Sequence, residues 1–189
     1  MKNACAATHG KPLLHSEFEI LNSYSRPVNR QSLFLIKFFA ILVAAYLLIA
    51  WNPVNDHVIV PFTAAVARVS GVLLNVIGQK VSVAGTVISS TRFAVNINNG
   101  CNGVEAMLIL LASIVAFPAT PKAKLIGLGL GAVVVQVLNA VRIITLYLLG
   151  AYQPRLFDLF HTAVWQIAII LVAVIFFLQW SARVAPRRA

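Results

Sequence analysis

The sequence predicts an all-α integral membrane protein with about four transmembrane helices, an outer interfacial helix and a small β-hairpin. Three observations carry this. The 189 residues are 60% hydrophobic and only 11% charged, where a soluble domain carries about a quarter charged residues. The apolar residues fall into runs of roughly 20, the length that crosses about 30 Å of hydrocarbon at 1.5 Å per residue. The basic residues are grouped by membrane side. Lys2, Lys11, Arg26 and Arg30 precede the first run, Lys122 and Lys124 share a short loop, and Arg183, Arg187 and Arg188 close the chain. A net charge of +10 would suit nucleic acid only if it formed one basic face. Grouped this way it follows the positive-inside rule instead. The expected partner is the lipid bilayer, with no nucleic acid.

The elements follow in order. Residues 1–31 form a basic, polar leader without a cleavable-signal layout, read as a disordered cytoplasmic tail. The first span runs from Ser32 to about Trp51, with Lys37 placed to snorkel and Trp51 at the outer interface. Asn52-Pro53 should stop it. Residues 58–79 are apolar enough to cross, but Arg68, Asn75 and Gln79 stand at i, i+7 and i+11. A helix with one polar stripe is better suited to lying in the interface. Residues 80–98 read as a hairpin, KVSVAGTVI and RFAVNIN around a Ser89-Ser90-Thr91 turn, because Phe93, Val95 and Ile97 alternate with polar or small neighbours. An open hairpin cannot sit among lipid tails, so it belongs outside the hydrocarbon.

A second span is expected at Gly103–Pro118, a third at Leu125–Gly150 and a fourth at Thr162–Trp180, with a loop holding Pro154 and Asp158 before the last. Gly127 and Gly131 form a GxxxG pair that permits close helix packing. The membrane domain is thus 32–182, followed by a basic cytoplasmic tail, 183–189. Four spans put the leader, the 122–124 loop and the tail on one side, and the hairpin and the 151–160 loop on the other.

Three chemically distinctive residues reach the same outer level. Cys101 lies at the outer end of the second span in NNGCNGVE. Arg142 stands about 17 residues into the third span, roughly 25 Å above its cytoplasmic start. His161 opens the fourth. A nucleophile, a cation and a base at one depth suit nucleophilic acyl transfer. A thiol near a helix N-terminus or a cation becomes a better nucleophile. Gly100 and Gly103 flank Cys101 and leave room for a substrate backbone, with Asn102 beside it as a supporting residue. His161 would take the thiol proton and later protonate a leaving amine. Arg142 would stabilise an oxyanion or clamp a carbonyl, with Asn139 on the same helix face orienting it. Glu105, four residues after Cys101, faces the same side and has a structural or orienting role.

At these residues the sequence resembles the exosortase/archaeosortase family. The matching pieces are Cys101 in GCNGVEA, Arg142 in NAVRI and His161 in the FH element, and the small size and NNGCNGVEAM form look most like exosortase H. The resemblance covers about residues 32–182. It implies a catalytic set of Cys101, Arg142 and His161 in a membrane cysteine protease or transpeptidase that needs no metal or organic cofactor. Its substrates would be exported proteins ending in a PEP-CTERM-like sorting signal and a transmembrane tail, with a lipid or glycan as acceptor. The setting it implies is the inner membrane of a Gram-negative bacterium, with the site on the periplasmic side.

Plainer readings stand beside this one. A lone cysteine is more often an inert small hydrophobe, a lone His161 an interfacial histidine, and Arg142 a partner for Glu105. Arg68 reads as an interface anchor, and Asp158 as a solvated loop acid. A non-enzymatic subunit holding an anionic lipid-linked glycan or head group on Arg142, Arg68 and His161 would leave Cys101 dispensable. A thiol redox protein would need a second cysteine outside, and Cys5 is expected on the other side.

Overall fold

A computed structural model describes residues 29–184. The chain divides into two units, Met1–Leu33 and Phe34–Ala189; of the first, only the opening turn of a helix falls among the described residues. Most of the expected leader therefore lies outside them, as does the tail beyond residue 184.

The apolar runs form five helices: α1 (Arg30–Ala50), α2 (Asn52–Val76), α3 (Val104–Ala116), α4 (Pro121–Tyr152) and α5 (Pro154–Val184). Prolines open three of them. Pro53, Pro121 and Pro154 stand in first turns, where the missing N–H is one the helix would leave unbonded anyway. Thr120 caps α4 by accepting the Ala123 N–H. Four helices, α1, α2, α4 and α5, are long and apolar enough to cross a membrane. The protein is a multi-pass membrane protein of mostly helical structure with one small sheet.

The set of long helices differs in one member from the expected set. Pro53 starts a helix instead of ending one, so α2 extends back to Asn52 and reaches 25 residues. The expected second span shrinks to α3, whose 13 residues measure about 20 Å. Likewise Pro154 opens α5, and the expected 151–160 loop is helical apart from a break at Gln153, whose φ is −140°. Two stretches wind as π-helical turns, Asn55–Ile59 in α2 and Phe160–Val164 in α5. Such turns are often found at functional sites.

Residues 80–98 are a three-stranded antiparallel sheet, not a two-stranded hairpin. Its strands are β1 (Ser82–Ala84), β2 (Val87–Ser89) and β3 (Ala94–Asn96), in that order. Gly85, at φ +59° with nothing near its missing Cβ, lets the chain reverse in two residues between Ala84 and Val87. The second turn lies at 90–93, just beyond the expected 89–91, because Ser89 pairs with Ala94 in the sheet, and Tyr147 on α4 ties it down by a 2.6 Å hydrogen bond to Ser90 Oγ.

Two clusters hold the second unit together. α2 buries Thr63, Ala67, Ser70, Gly71 and Leu74, one helical face by spacing. Ala67 and Leu74 pack with Ile88 and Ile97 of the sheet segment and with Ile143 and Tyr147 of α4. The polar stripe read on α2 is used for attachment: Asn75 exchanges two hydrogen bonds with the Val81 main chain, and Gln79 accepts from Tyr152. Arg68 is exposed. The second cluster joins α3, α4 and α5 through Leu110, Ile114, Val135, Ala173 and Trp180. Gly127 and Gly131 lie under Trp180 and Leu110, the close approach that GxxxG spacing permits. α1 has no buried residue and presents Ile36, Phe39 and Leu47 outward, as suits contact with lipid.

Candidate functional site

The site forms where α3 and α5 begin. Between β3 and α3 the chain turns through Asn98–Gly103, and Gly100 and Gly103 sit at φ +88° and +79°. Left-handed backbone of this kind is open to glycine at little cost. The two glycines thus shape the loop that presents Cys101. Asn102 is fully buried and braces the loop. Its amide donates to Thr63 Oγ1 (2.9 Å) and Asn99 Oδ1 (3.2 Å), and its carbonyl oxygen accepts the Val104 N–H at 3.0 Å. Glu105, in the first turn of α3, accepts the Gly100 N–H at 2.8 Å.

Cys101, Arg142 and His161 meet here. Cys101 Sγ is 3.0 Å from His161 Nε2. Arg142 is almost fully buried and donates to Gly100 O (3.1 Å), His161 O (3.5 Å) and Cys101 Sγ (3.8 Å). One guanidinium therefore links the cysteine loop to the π-helical turn that carries His161. Its bonds run to these groups and not to Glu105, whose carboxylate is engaged with Gly100. Phe157, one helical turn before His161, stacks on the imidazole at 5.6 Å and 18°, fixing the ring plane.

Burial pushes the Cys101 thiol above its ordinary pKa, Arg142 pulls it back and Glu105 adds to the rise. Desolvation disfavours the charged form, and here it outweighs the cation. The resting group at neutral pH is a thiol, against the expectation that a neighbouring cation and helix start would favour the thiolate. A base in contact with Sγ is then what would generate the nucleophile, and His161 Nε2 is so placed.

Asn139 does not hold Arg142. It is fully buried, with neither amide atom hydrogen-bonded among the described residues, and it packs beneath Gly103. Thr145, one turn further along α4, bonds back to Val141 O in its own helix. Thr63 and Phe157 were missed from sequence. Thr63 had a signal, a hydroxyl on the buried face of α2. Phe157 stands at i−4 from His161, a relation that has meaning only once residues 154–164 are known to be helical.

A cavity of about 480 Å³ opens beside the thiol, lined by residues 93–99 on one wall and by Ile143, Leu146 and Phe157 on the other, with Cys101 and His161 between them. Among the described residues, no Lys or Arg lines it.

The fold and site define a multi-pass membrane protein with a thiol, an imidazole and a guanidinium in mutual contact at one end of its helices. The chain belongs to the transmembrane exosortase family, whose model (Exosortase_EpsH) matches residues 28–182. Neither the search of curated proteins nor that of solved structures produced a match. Membership implies a sortase-like role and a membrane cysteine peptidase or transpeptidase kind of activity.

Proposed function

We propose that this chain cleaves PEP-CTERM-like C-terminal sorting signals of exported proteins, with Cys101 as nucleophile, His161 as base and Arg142 as stabiliser of substrate or oxyanion. The observation that carries the reading is the 3.0 Å contact of Cys101 Sγ with His161 Nε2, with Arg142 on the same sulfur. With its own proton on Nδ1, His161 accepts the thiol proton at Nε2 as Sγ attacks the substrate carbonyl carbon. The negative charge gathers on the carbonyl oxygen, and Arg142 is the nearby cation to receive it. The C–N bond then breaks, His161 returns the proton to the leaving amine, and the acyl group remains on Sγ as a thioester. Water or the nucleophile of a lipid or glycan acceptor resolves it. That no lysine or arginine among the described residues lines the cavity supports this reading over an anionic head-group binder.

The same reading places 32–182 as the membrane domain between cytoplasmic termini, in the inner membrane of a Gram-negative bacterium, with α2 in the outer interface and the site facing the periplasm. The grouping of basic residues supports this orientation.

The test is processing in cells of a reporter ending in a sorting signal, a transmembrane tail and a basic C-terminus. Cys101→Ala and Cys101→Ser should both abolish loss of the tail while the protein still reaches the membrane. Arg142→Lys keeps the charge but not the three-way reach, and should also fail. Tail removal without Cys101 would end the enzyme reading and leave a binding subunit in its place.

A further inference from the structure

β3 is an edge strand, and its free edge borders the cavity. Its pairing with β2 fixes which way its main chain points. The Ser90 N–H donates to Phe93 O at 2.9 Å, and the Ile97 N–H to Thr86 O at 3.0 Å. Antiparallel pairing alternates, so Phe93, Val95 and Ile97 turn their main-chain groups toward β2, and Ala94, Asn96 and Asn98 turn theirs away. The Asn98 carbonyl is taken by the Cys101 N–H. The main-chain N–H groups of Ala94 and Asn96 donate to no described residue, and their carbonyls accept from none. An edge of this kind is a template for another strand, and proteins ordinarily cover or charge it. Here it is left open along a cavity that also contains Cys101 and His161.

We propose that the substrate segment to be cut binds as an extended strand on the free edge of β3, its main chain paired to Ala94 and Asn96, which brings its carbonyl to Cys101. This rests on the cysteine-protease reading and adds to it the mode of recognition. The chemistry on offer selects the occupant. Alternating uncharged donors and acceptors at strand spacing match a peptide backbone. An anionic head group would need cations in the wall, and among the described residues no Lys or Arg lines this cavity. Phe93, Ile143, Leu146 and Phe157 line the cavity with apolar surface, suited to small apolar side chains on the bound strand. Main-chain pairing supplies affinity that depends little on sequence.

The test uses full-length Cys5→Ser protein in lipid nanodiscs. An acetylated alternating Ala-Val tetrapeptide chloromethyl ketone is compared with iodoacetamide. In the peptide reaction the S–C bond forms as the C–Cl bond breaks and chloride leaves, with the proton taken by His161. Labelling at Cys101 is followed by peptide mass. Methylating one peptide nitrogen that pairs with the edge should slow the reaction about five- to tenfold, the effect of one lost hydrogen bond. Methylating the next nitrogen, which points away from the edge, should not. Ala94→Pro removes an outward N–H and leaves the ladder to β2 intact, and should lower the ratio of peptide to iodoacetamide rates by a similar factor. Equal rates for all methylated peptides on the unaltered protein would overturn the proposal, whether or not Ala94→Pro folds. Iodoacetamide labelling that His161→Ala leaves unchanged would instead refute the Cys–His reading, while the methylation pattern still reports on the strand edge.

Discussion

Replacing Gly103 and Gly100 by alanine, one at a time, separates two physical effects in the loop that carries Cys101. Both glycines have left-handed backbone, where an added Cβ costs roughly 1–2 kcal/mol. At Gly100 nothing lies within 4 Å of the new carbon, so that cost is the whole effect. At Gly103 the new carbon would meet Asn139 Cγ at 3.0 Å, Gln136 Nε2 at 3.1 Å and Asn139 Cβ at 3.2 Å. Asn139 is fully buried on α4 and has little room to yield, so overpacking adds about 1–3 kcal/mol. Gly103→Ala should therefore lose roughly 2–5 kcal/mol and Gly100→Ala roughly 1–2. Equilibrium unfolding of the purified protein in mixed micelles measures both. The Gly103→Ala/Asn139→Ala double variant should recover part of the excess, because it removes the contact at Cγ. Equal losses for the two single variants, or no coupling to Asn139, would refute the packing described here.

Three further outcomes are expected. In a Cys5→Ser background, the rate of Cys101 alkylation should rise with pH through a midpoint above that of a free thiol. Arg142→Gln, which removes the lowering influence, should move it further up, and Glu105→Gln should move it down; the reverse order would contradict the electrostatics of the site. Because the folded state favours the protonated thiol, the associated stability is fully present below the unfolded thiol pKa and is lost as pH climbs through the raised folded value, which unfolding measured across that range would detect. Asn102→Ala leaves the Val104 N–H without its acceptor and takes a donor from Thr63 Oγ1, which keeps its bond to Ile59 O, and should cost about 1–3 kcal/mol while slowing Cys101 alkylation. Gly127→Ala would press a methyl to 2.5 Å from Trp180 Nε1, displacing its bond to Ala123 O, and should destabilise by about 1–3 kcal/mol. Gly129→Ala, with open space around it, should be neutral or slightly stabilising by helix propensity.

The proposed mechanism gives burial a specific part. A thiol pushed up by its surroundings is protected while the site is empty of substrate, and it reacts when His161 can take the proton in the same step as the attack. Arg142 has two duties in that scheme. Its bonds to Gly100 O and His161 O hold the two reacting side chains at contact distance, and its charge lies beside the sulfur. Arg142→Lys should thus harm geometry before it harms electrostatics, since one ammonium cannot reproduce a planar fork.

By itself the sequence determined what depends on local composition. Apolar runs set the helical membrane architecture, because backbone in hydrocarbon must bond to itself. The Gly-Cys-Asn-Gly loop, the arginine within an apolar run and the histidine at the start of the last one marked three candidates at one level. Tertiary structure decided what depends on which groups lie beside each other. Pro53 read as a stop and Pro154 as part of a loop, but both are starts, since a proline is tolerated in the first turn and a linear reading cannot say on which side of it a helix lies. Glu105 was a plausible partner for Arg142, yet the turn at Gly100 brings a main-chain N–H to the carboxylate and two carbonyls to the guanidinium. Asn139 shares a helix face with Arg142 but lies under Gly103. Even the sign of the Cys101 shift was set by packing, because how far a thiol is removed from water depends on segments distant in the chain.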